Sequence, residues 1–360
     1  MQKKKAPAPK TSSYRPERIL FFLLLAAVVF YLYTHPEPIK KLIHKKSPAV
    51  NAFAQQTLHK TQNFTKQNLQ RIKDLYPRTI QKNSKALPAK SSPVPSLASP
   101  SRNQNLITIG SFNIRIFSDK SRSDAELKFI AHILTHYDLI AIQELRDEMV
   151  LKRTVRLLAD MGYPFEYEIS PPVGRGVKET YAFLYRKDKI TVKQKGALYF
   201  EDNDLLIREP YYAWFQSGNF DFILITTHLL YGENENQRRP EIIELAKIYN
   251  YIREENPAEN DVILLGDFNL EPTDAGWNDL KNLSTMTYLI KPPEKTTITD
   301  TSLYDNFWFQ RQYVREYIGQ SGVIRFDENI FRNDDHKAKL VVSDHRPIWA
   351  RFSVSLVDDD

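Results

Sequence analysis

From Leu106 onward, the sequence predicts an α/β fold in which sheets and helices form a mixed sandwich. Short apolar runs rich in β-branched and aromatic residues alternate with stretches of helical spacing, which is the pattern of strands joined by helices. Two late apolar runs, Tyr304–Phe309 and Pro347–Val354, have no long helix between them. Parallel neighbours need a long crossover, usually a helix, so these late strands favour a mixed sheet over a simple parallel one.

Five strands and three helices are predicted before those late runs. The strands are short and apolar, and the helices carry apolar residues three and four positions apart. Pro240 suits the start of the third helix, because the first helical turn needs no amide donor. The strands are Ile107–Ile114, Leu139–Gln143, Tyr181–Tyr185, Phe222–His228 and Val262–Leu265, and the helices are Asp124–Thr135, Met149–Met161 and Glu241–Glu255.

The net charge of +6 averages two unlike regions of the 360-residue chain. Residues 1–105 contain 19 Lys/Arg and 3 Asp/Glu, which leaves 31 basic and 41 acidic residues in 106–360 from the totals of 50 and 44. The predicted folded region is therefore acidic. An acidic domain does not bind nucleic acid through a bulk positive field, so any such binding requires local Arg or Lys contacts and bound cations.

An apolar run of 15 residues, Ile19–Tyr33, follows a basic segment at residues 1–18. It is short for a membrane helix of roughly 20 residues and resembles a signal-peptide core in length. Thr34–Pro38 offers no small-x-small cleavage site, so we expect an uncleaved single-pass membrane anchor. A cleaved signal peptide and a buried helix of a soluble core remain alternatives. The larger basic cluster precedes the run, which favours a folded domain on the non-cytoplasmic side, periplasmic or extracellular.

Composition indicates the roles of the remaining segments of the chain. Residues 34–105 are rich in Lys, Gln, Pro and Ser and are expected to form a flexible linker. Residues 106–354 form the predicted domain, and residues 355–360 end the chain in an acidic tail. The chain contains no cysteine, which excludes disulfides and thiolate metal sites.

Polar motifs accompany four of the predicted strands. They are SFNIR at Ser111–Arg115, IQELRD at Ile142–Asp147, GDFN at Gly266–Asn269 and SDHRP at Ser343–Pro347. Together they offer carboxylates and amides, which are hard oxygen ligands for a divalent cation, and a histidine that can transfer a proton. Metal-assisted cleavage of a phosphoester needs these groups. The combination of four motifs is more specific than any one of them.

Each motif also has a structural explanation when taken alone. Asn113 suits a turn after a strand, and Glu144 suits a solvated loop or a helix cap. Asp267 with Asn269 is typical of an Asx-turn, and an isolated histidine such as His345 is more often structural than catalytic. Because four such coincidences would be required, we interpret the motifs as parts of one active site.

The order of these motifs resembles the endonuclease/exonuclease/phosphatase superfamily, and more narrowly deoxyribonuclease I. GDFN and SDH are similar to segments found across the superfamily, including its lipid and inositol phosphatases. QELRD, VKETY and IREP resemble deoxyribonuclease I itself. The resemblance covers residues 106–354 and none of the N-terminal region. It implies a four-layer α/β sandwich, in which two packed mixed β-sheets are flanked by helices.

The resemblance implies a cation and its ligands. Glu144 matches the principal metal ligand, with Asn113 and Asp344 near the same cation. Asp267 and Asn269 match residues that face the scissile phosphate. The implied cation is Mg²⁺, with Mn²⁺ as a substitute.

Two histidine–carboxylate pairs complete the implied site. His228 of ITTHLL resembles the first catalytic histidine, and Glu179 of KETY resembles its partner. His345 resembles the second histidine, with Asp305 of LYDN as its partner. A buried carboxylate on one ring nitrogen fixes the tautomer and raises the basicity of the other nitrogen. A surface salt bridge for Glu179 and a turn role for Asp305 remain alternatives.

The resemblance also implies substrate contacts. Arg146 and Arg208 resemble the arginines that contact DNA, and Asn113 and Asn269 are expected to bind substrate as well. A structural ion pair is the alternative for each arginine.

Two departures from the family pattern concern the periphery of the site. Val177 stands where the family has a minor-groove tyrosine, which weakens the expected grip on duplex DNA, and the family's disulfides are absent. Asp204 and Glu209 resemble ligands of a structural Ca²⁺ site.

We therefore expect a membrane-tethered, divalent-metal-dependent endonuclease that hydrolyses DNA to 5′-phosphate and 3′-hydroxyl ends. His345, held by Asp305, would take the proton of the attacking water, and His228 with Glu179 would serve the leaving oxygen or a phosphate oxygen. A phospholipid or inositol-phosphate phosphoesterase of the same fold is the first alternative. Lipid enzymes of this superfamily usually carry an exposed apolar loop for docking, and the clearest candidate here, Tyr211–Phe215, lies in strand-like sequence instead. A non-catalytic tethered binding module is the second. No protein partner can be deduced from the sequence.

Overall fold

A computed structural model describes residues 105–200 and 205–358 of the chain. Within these ranges the strands are β1 (Leu106–Phe117), β2 (Leu139–Leu145), β3 (Phe165–Ile169), β4 (Thr180–Arg186), β5 (Thr191–Leu198), β6 (Tyr211–Ser217), β7 (Phe220–His228), β8 (Val262–Asp267), β9 (Met286–Tyr288), β10 (Asp305–Gln310), β11 (Tyr317–Val323) and β12 (Ile348–Ser353). The α-helices are α1 (Asp124–Leu134), α2 (Glu148–Asp160), α3 (Glu235–Glu255), α4 (Asn278–Lys281), α5 (Phe326–Asn329) and α6 (Asp335–Val341). Two 3-10 turns lie at Asp119–Ser121 and Ala275–Trp277.

The strands form two six-stranded sheets. The first has the order β11–β12–β1–β2–β4–β3, and the second has the order β5–β6–β7–β8–β10–β9. Both sheets are mixed, because β1 pairs with β2 and β7 pairs with β8 in parallel, whereas the other neighbours are antiparallel.

Three apolar cores hold the layers together. The central core lies between the two sheets and joins side chains such as Phe183 of β4 to Phe215 of β6. A second core packs α1 and α2 on the outer face of the first sheet, and a third packs α3 on the outer face of the second. The result is a four-layer α/β sandwich, which confirms the predicted fold class.

The third helix begins earlier than the sequence pattern predicts. It starts at Glu235 rather than at Glu241, so the predicted start was wrong. The side chain of Asn234 caps this end by accepting a hydrogen bond from the amide of Asn236 at 3.1 Å. Pro240 therefore lies inside the helix, where it lacks the amide that would donate to the carbonyl four residues earlier.

Four strands were not predicted, and they are the four edges of the two sheets. They are β3 and β11 in the first sheet and β5 and β9 in the second. Their residues are largely exposed or half-buried, so they carry no continuous apolar run. Edge strands commonly have such polar sequences, which prevent pairing with other chains.

Among the described residues, every helix is too short or too polar to span a membrane. The basic segment 1–18, the expected anchor 19–33 and residues 34–104 of the expected linker lie outside the described ranges. Asp204 of the expected Ca²⁺ site and residues 359–360 of the acidic tail also lie outside them.

Strand register places three polar residues side by side in the second sheet. His228 at the end of β7 pairs with Asp267 at the end of β8. Asp305 at the start of β10 pairs with the same Asp267 on its other side. The two sheets are joined beside this row by a hydrogen bond from Nδ2 of Asn113, on β1, to Oδ2 of Asp267 at 2.9 Å. The ends of both sheets thus meet at one site.

Candidate active site

The converging strand ends border a cleft of about 340 Å³. Seven of the eleven residues that the sequence assigned to the site line it. The cleft is lined by Asn113, Glu144, His228, Tyr231, Asp267, Asn269, Thr297, Thr299, Thr301, Ser302, Tyr304, Lys339, Asp344 and His345.

Asp267 lies at the centre of the site and is buried. The Nε2 atoms of His228 and His345 each lie 3.6 Å from its Oδ2 atom. Burial favours the neutral acid, but the two imidazoles and the hydrogen bond from Asn113 outweigh burial and hold the pKa of Asp267 below its usual value. The centre of the site is therefore a carboxylate between two histidines.

His228 is held by Glu179, as the sequence predicts. Its Nδ1 atom lies 2.8 Å from Oε1 of Glu179, whose side chain is buried. Burial lowers the pKa of His228, but the hydrogen bond and charge of Glu179 outweigh it and raise that pKa above the usual value. Burial favours neutral Glu179, yet His228 with Arg208 and Arg146 keeps its pKa low. The pair is a buried carboxylate holding an imidazole in a fixed orientation.

His345 is held in the same way by Asp305. Its Nδ1 atom lies 2.8 Å from Oδ2 of Asp305. The backbone amide of Asp305 donates to Oγ1 of Thr296 at 3.1 Å, which fixes the start of β10. Burial lowers the pKa of His345, but the nearby carboxylates of Asp267 and Asp305 outweigh it and raise that pKa to about 10. Both pairs expected from the sequence are thus present, and each Nε2 atom faces Asp267.

The GDFN motif is held in an unusual backbone conformation. Gly266 has φ +150°, and a Cβ atom there would lie 2.1 Å from the carbonyl oxygen of Thr227 on β7. Asn269 has φ +50°, its amide donates to Oδ1 of Asp267 at 3.1 Å, and its Nδ2 atom donates to the carbonyl of Leu229 at 2.9 Å. Asn269 lines the cleft while fixing the turn that orients Asp267.

Glu144 and Asn113 offer oxygen donors for a cation. Glu144 has φ +58°, and its Oε2 atom accepts a hydrogen bond from the amide of Ile116 at 2.9 Å. Nδ2 of Asn113 lies 3.4 Å from Oε1 of Glu144. Oδ1 of Asn113 is buried and has no hydrogen-bond partner among residues 105–200 and 205–358. A carboxylate beside an unsatisfied amide oxygen is a donor set that suits a hard divalent cation.

Asp344 lies on the same cleft, but a lysine contacts it. Nζ of Lys339 lies 2.8 Å from Oδ2 of Asp344, and Nε of Arg115 lies 3.9 Å from that oxygen. Burial favours neutral Asp344, but Lys339 and His345 outweigh it and lower its pKa. A second group of possible metal ligands consists of Asp267, Asp305 and His345, which each offer one ligand atom within 4.8 Å of the others.

The two arginines expected to bind DNA form ion pairs with the Glu179 carboxylate. Nε of Arg208 lies 2.5 Å from Oε1 of Glu179, and its Nη1 atom donates to the carbonyl of His228 at 3.1 Å. Nη2 of Arg146 lies 3.7 Å from Oε2 of Glu179 and 3.4 Å from Oε2 of Glu144. Both side chains stay partly exposed, at 22% for Arg146 and 20% for Arg208. The structure shows the ion pairs that were the alternative to DNA contact.

The remaining sequence expectations concern two residues that do not line the cleft, Val177 and Glu209. Val177, at the position of the family's tyrosine, is 74% exposed. Glu209, the described half of the expected Ca²⁺ site, is half-buried in the loop before β6.

Several cleft residues were not identified from the sequence. Tyr231 follows His228 by three residues, and a threonine-rich loop that includes Thr297 and Thr301 forms part of the lining. Lys339 comes from α6. These residues carry no motif, because exposed aromatic, hydroxyl and lysine side chains are common on any protein surface. Proximity in the fold is what identifies them.

Comparison with known proteins gives the same family as the motif order. Residues 110–327 match the model of the Endonuclease/Exonuclease/phosphatase family. The deoxyribonuclease of Thioalkalivibrio sp. (strain K90mix) is 29% identical over 244 residues, which cover 64% of this chain and 67% of that protein. Deoxyribonuclease-1 of Gallus gallus is 30% identical over 264 residues, which cover 67% of this chain and 90% of that protein.

A solved structure shares the fold. Humanized TDP2 of D. rerio superposes with a TM-score of 0.50 at 16% identity, covering 69% of this chain and 99% of that one. At this identity the similarity concerns the fold alone. The family match and the sequence relatives, together with the paired histidines of the cleft, show that the chain belongs to the Endonuclease/Exonuclease/phosphatase family and is a hydrolytic phosphodiesterase.

Proposed function

We propose that this chain is a divalent-metal-dependent endonuclease that hydrolyses DNA phosphodiester bonds. The observation that carries the proposal is the arrangement of the two histidines around Asp267. Each histidine has a buried carboxylate on Nδ1, and each directs Nε2 to the same oxygen at 3.6 Å. Two proton-transfer groups on opposite sides of one position suit in-line displacement at phosphorus, in which one oxygen attacks while another leaves.

His345 serves as the base in this mechanism. Its Nδ1 atom is held by Asp305, so Nε2 of the unprotonated imidazole takes the proton from the attacking water. Because the pKa of His345 is raised to about 10, this form is the minor one at neutral pH and its share grows as the pH rises. The water oxygen forms a bond to phosphorus as the bond from phosphorus to the 3′-oxygen breaks. Asp305 then stabilises the imidazolium that forms, since its buried charge raises the pKa of His345.

His228 serves the opposite side of the phosphate. Held by Glu179, its Nε2 atom gives a proton to the leaving oxygen or donates a hydrogen bond to a phosphate oxygen. Glu179 is itself balanced by Arg208 and Arg146, which keep it ionised. The products are a 5′-phosphate and a 3′-hydroxyl end, as in the reaction implied by the sequence resemblance.

Residues on the first sheet would hold the cation. Glu144 and Oδ1 of Asn113 provide hard oxygen donors, and Asp344 joins them if Lys339 moves away from it. When bound, Mg²⁺, or Mn²⁺ in its place, supplies positive charge that stabilises the charge developing on the phosphate oxygens. The donor set contains oxygen atoms alone, which matches the preference of Mg²⁺. A structural Ca²⁺ at Asp204 and Glu209 remains a prediction.

DNA is the preferred substrate over a lipid or an inositol phosphate. Lipid enzymes need an exposed apolar segment for docking, and Tyr211–Phe215 was the clearest sequence candidate. This stretch lies within β6, where Tyr211 and Phe215 are buried in the central core. Tyr212 and Trp214 are half-buried against the core under α3. The stretch is therefore not available to a bilayer. A non-catalytic binding module is disfavoured because both histidine–carboxylate pairs are intact.

The location of the enzyme is part of the proposal. The apolar run 19–33 with its preceding basic cluster supports a single-pass anchor and a domain on the periplasmic or extracellular side. Carbonate extraction of membranes, followed by protease treatment of intact cells or spheroplasts, tests both points. Release by carbonate would contradict anchoring, and protection of the domain from protease would contradict the outward orientation.

A substrate panel tests the proposed function. The full-length chain is incubated with DNA, with RNA, with inositol phosphates and with phospholipid vesicles, in Mg²⁺ and in EDTA, beside a His345→Ala variant. Metal-dependent DNA cleavage that the variant lacks, with end-labelling that shows 5′-phosphates, is the expected result. Release of phosphate or headgroup from lipid, without DNA cleavage, would instead support the phosphoesterase alternative.

A further inference from the structure

Tyr231 is an exposed aromatic residue inside the candidate active site. It lies three residues after His228, lines the same cleft, and is 59% exposed. A ring with that exposure contributes little to the hydrophobic core, and it is not part of the apolar clusters of the described residues. The cleft side of this ring is therefore available for contact with a ligand.

A buried arginine holds the tyrosine ring in place. The guanidinium carbon of Arg238 lies 4.4 Å from the centroid of the Tyr231 ring. Arg238 is only 6% exposed, and its Nε atom donates to the backbone carbonyl of Tyr231. Its Nη1 atom donates to the carbonyl of Asn269 at 2.7 Å and to the hydroxyl of Tyr304 at 3.2 Å. The Arg238 guanidinium thus fixes one side of the Tyr231 ring and connects it to the GDFN turn.

The neighbouring backbone also favours a fixed ring. The Tyr304 ring meets the Tyr231 ring edge to face, with centroids 6.4 Å apart. Gly232 has φ +58°, a left-handed backbone conformation that favours glycine. The amide of Leu230 donates to buried Glu241 at 2.7 Å. The loop that carries Tyr231 is therefore anchored on both sides of the residue.

We propose that Tyr231, stacked on Arg238, forms a nucleobase-binding subsite beside the scissile phosphate, which selects DNA whose base at this position is unpaired. The inference rests on the proposed function, because it places the phosphate next to His228. A preordered aromatic ring with one face on a guanidinium is an arrangement that stacks a base, and such stacking tolerates any sequence.

The selection follows from the geometry of a duplex. Within a double helix, both faces of a base are covered by its neighbours, so a ring in the cleft reaches a base face only after that base leaves the stack. Unstacking is least costly in single strands and at mismatches. Thr297 and Thr301 in the same cleft add hydroxyl groups that suit phosphate oxygens, which do not depend on sequence either.

The test compares variants of the full-length chain on matched substrates. Tyr231→Ala, Tyr231→Phe and the control Tyr251→Ala are assayed, since Tyr251 is a 48% exposed tyrosine on α3 outside the cleft. The substrates are a single-stranded oligonucleotide, its duplex, and the same single strand with abasic nucleotides flanking the cleavage site. We expect Tyr231→Ala to lose about 5- to 150-fold in kcat/KM on the single strand. Tyr231→Phe should stay within about 3-fold of the wild type, as should Tyr251→Ala.

The abasic strand separates base stacking from a structural role. The loss caused by Tyr231→Ala should shrink to less than about 3-fold when the base is missing, because no stacking is left to remove. An equal loss on both strands, or no loss on either, would overturn the subsite. A strand with 2-aminopurine at the same position gives a readout besides activity. Its fluorescence should be quenched by the His345→Ala protein but not by the double variant that carries both His345→Ala and Tyr231→Ala. Absence of that quenching also overturns the subsite.

The proposed function and the subsite can fail separately. A wild-type chain that cuts none of the DNA substrates contradicts the proposed function. Cutting by the wild type, with the Tyr231→Ala loss independent of the base, contradicts the subsite alone.

Discussion

The Nε2 atoms of His228 and His345 lie at the same distance, 3.6 Å, from one oxygen of Asp267. Each histidine belongs to a different part of the chain, and each is held from behind by its own buried carboxylate. In the proposed mechanism, this near-symmetry would give the cleft a proton acceptor on one side of a phosphate and a proton donor on the other. It also makes the pKa values of the two histidines and Asp267 interdependent.

Replacing Asp305 should change the pH dependence of cleavage. The carboxylates of Asp267 and Asp305 raise the pKa of His345 to about 10, so neutral Asn at position 305 should lower it. A base is active when unprotonated, so the acidic limb of kcat/KM against pH should move to lower pH. We expect a shift of about one unit or more in Asp305→Asn, with a lower maximal rate. An unmoved limb would remove His345 from the role of base.

Replacing Glu144 should weaken the response to the cation. Glu144→Gln removes a negative charge from the expected ligand set while keeping the shape of the side chain. We expect a Mg²⁺ concentration for half-maximal activity about 10- to 100-fold higher, because a ligand and its charge are lost. The matched control is Glu148→Gln, since Glu148 is an exposed partner of Lys152 on α2. If the two variants titrate alike, Glu144 does not hold the cation.

The backbone at Gly266 should tolerate no side chain. In Gly266→Ala, the new Cβ atom would lie 2.1 Å from the carbonyl oxygen of Thr227, which is on a neighbouring strand and cannot move freely. We expect the free energy of unfolding to fall by about 1–3 kcal/mol, and activity to fall because Gly266 precedes Asp267. Thermal unfolding measures the first effect. Gly176→Ala is the control, since nothing lies within 4 Å of the added atom there. Equal melting temperatures would contradict the predicted clash.

Arg346 should be needed for stability rather than for catalysis. It is buried, and its guanidinium donates to Asp327 at 2.9 and 2.5 Å and to Asp300 at 2.5 Å. Arg346→Met leaves buried Asp327 without its cation, which typically costs about 3–5 kcal/mol. Adding Asp327→Leu should restore part of that loss in urea unfolding, because the unpaired charge is gone. A single variant as stable as the wild type would contradict this role.

The sequence predicted the interior of the fold and the residues of the histidine pairs. Buried strands such as β7 and β8 are continuous apolar runs, and the motifs at their ends are distinctive. The four edge strands were missed because partial exposure removes the apolar pattern. The start of α3 was missed because Asn234 caps a turn that precedes Pro240, and a proline usually marks the first turn of a helix.

Relationships between distant segments were less accessible. Register places Asp267 between His228 and Asp305, and strand pairing of that kind cannot be read from the spacing of motifs. Arg346 was part of the SDHRP motif, yet its buried partner Asp327 comes from a helix that carries no motif. Tyr231 gives no signal in sequence because its meaning depends on Arg238, which reaches it from the first turns of α3.

Nicking of supercoiled plasmid tests whether metal-dependent DNA cleavage by this chain depends on the histidines around Asp267. The full-length chain is assayed with Mg²⁺ and with EDTA, beside His345→Ala and a His336→Ala control, since His336 is exposed on α6. We predict nicking with Mg²⁺ alone, loss of about 10²–10⁴-fold in His345→Ala, and wild-type activity in the control. Nicking retained in EDTA would contradict the metal requirement, and equal activity of the two variants would contradict the role of His345.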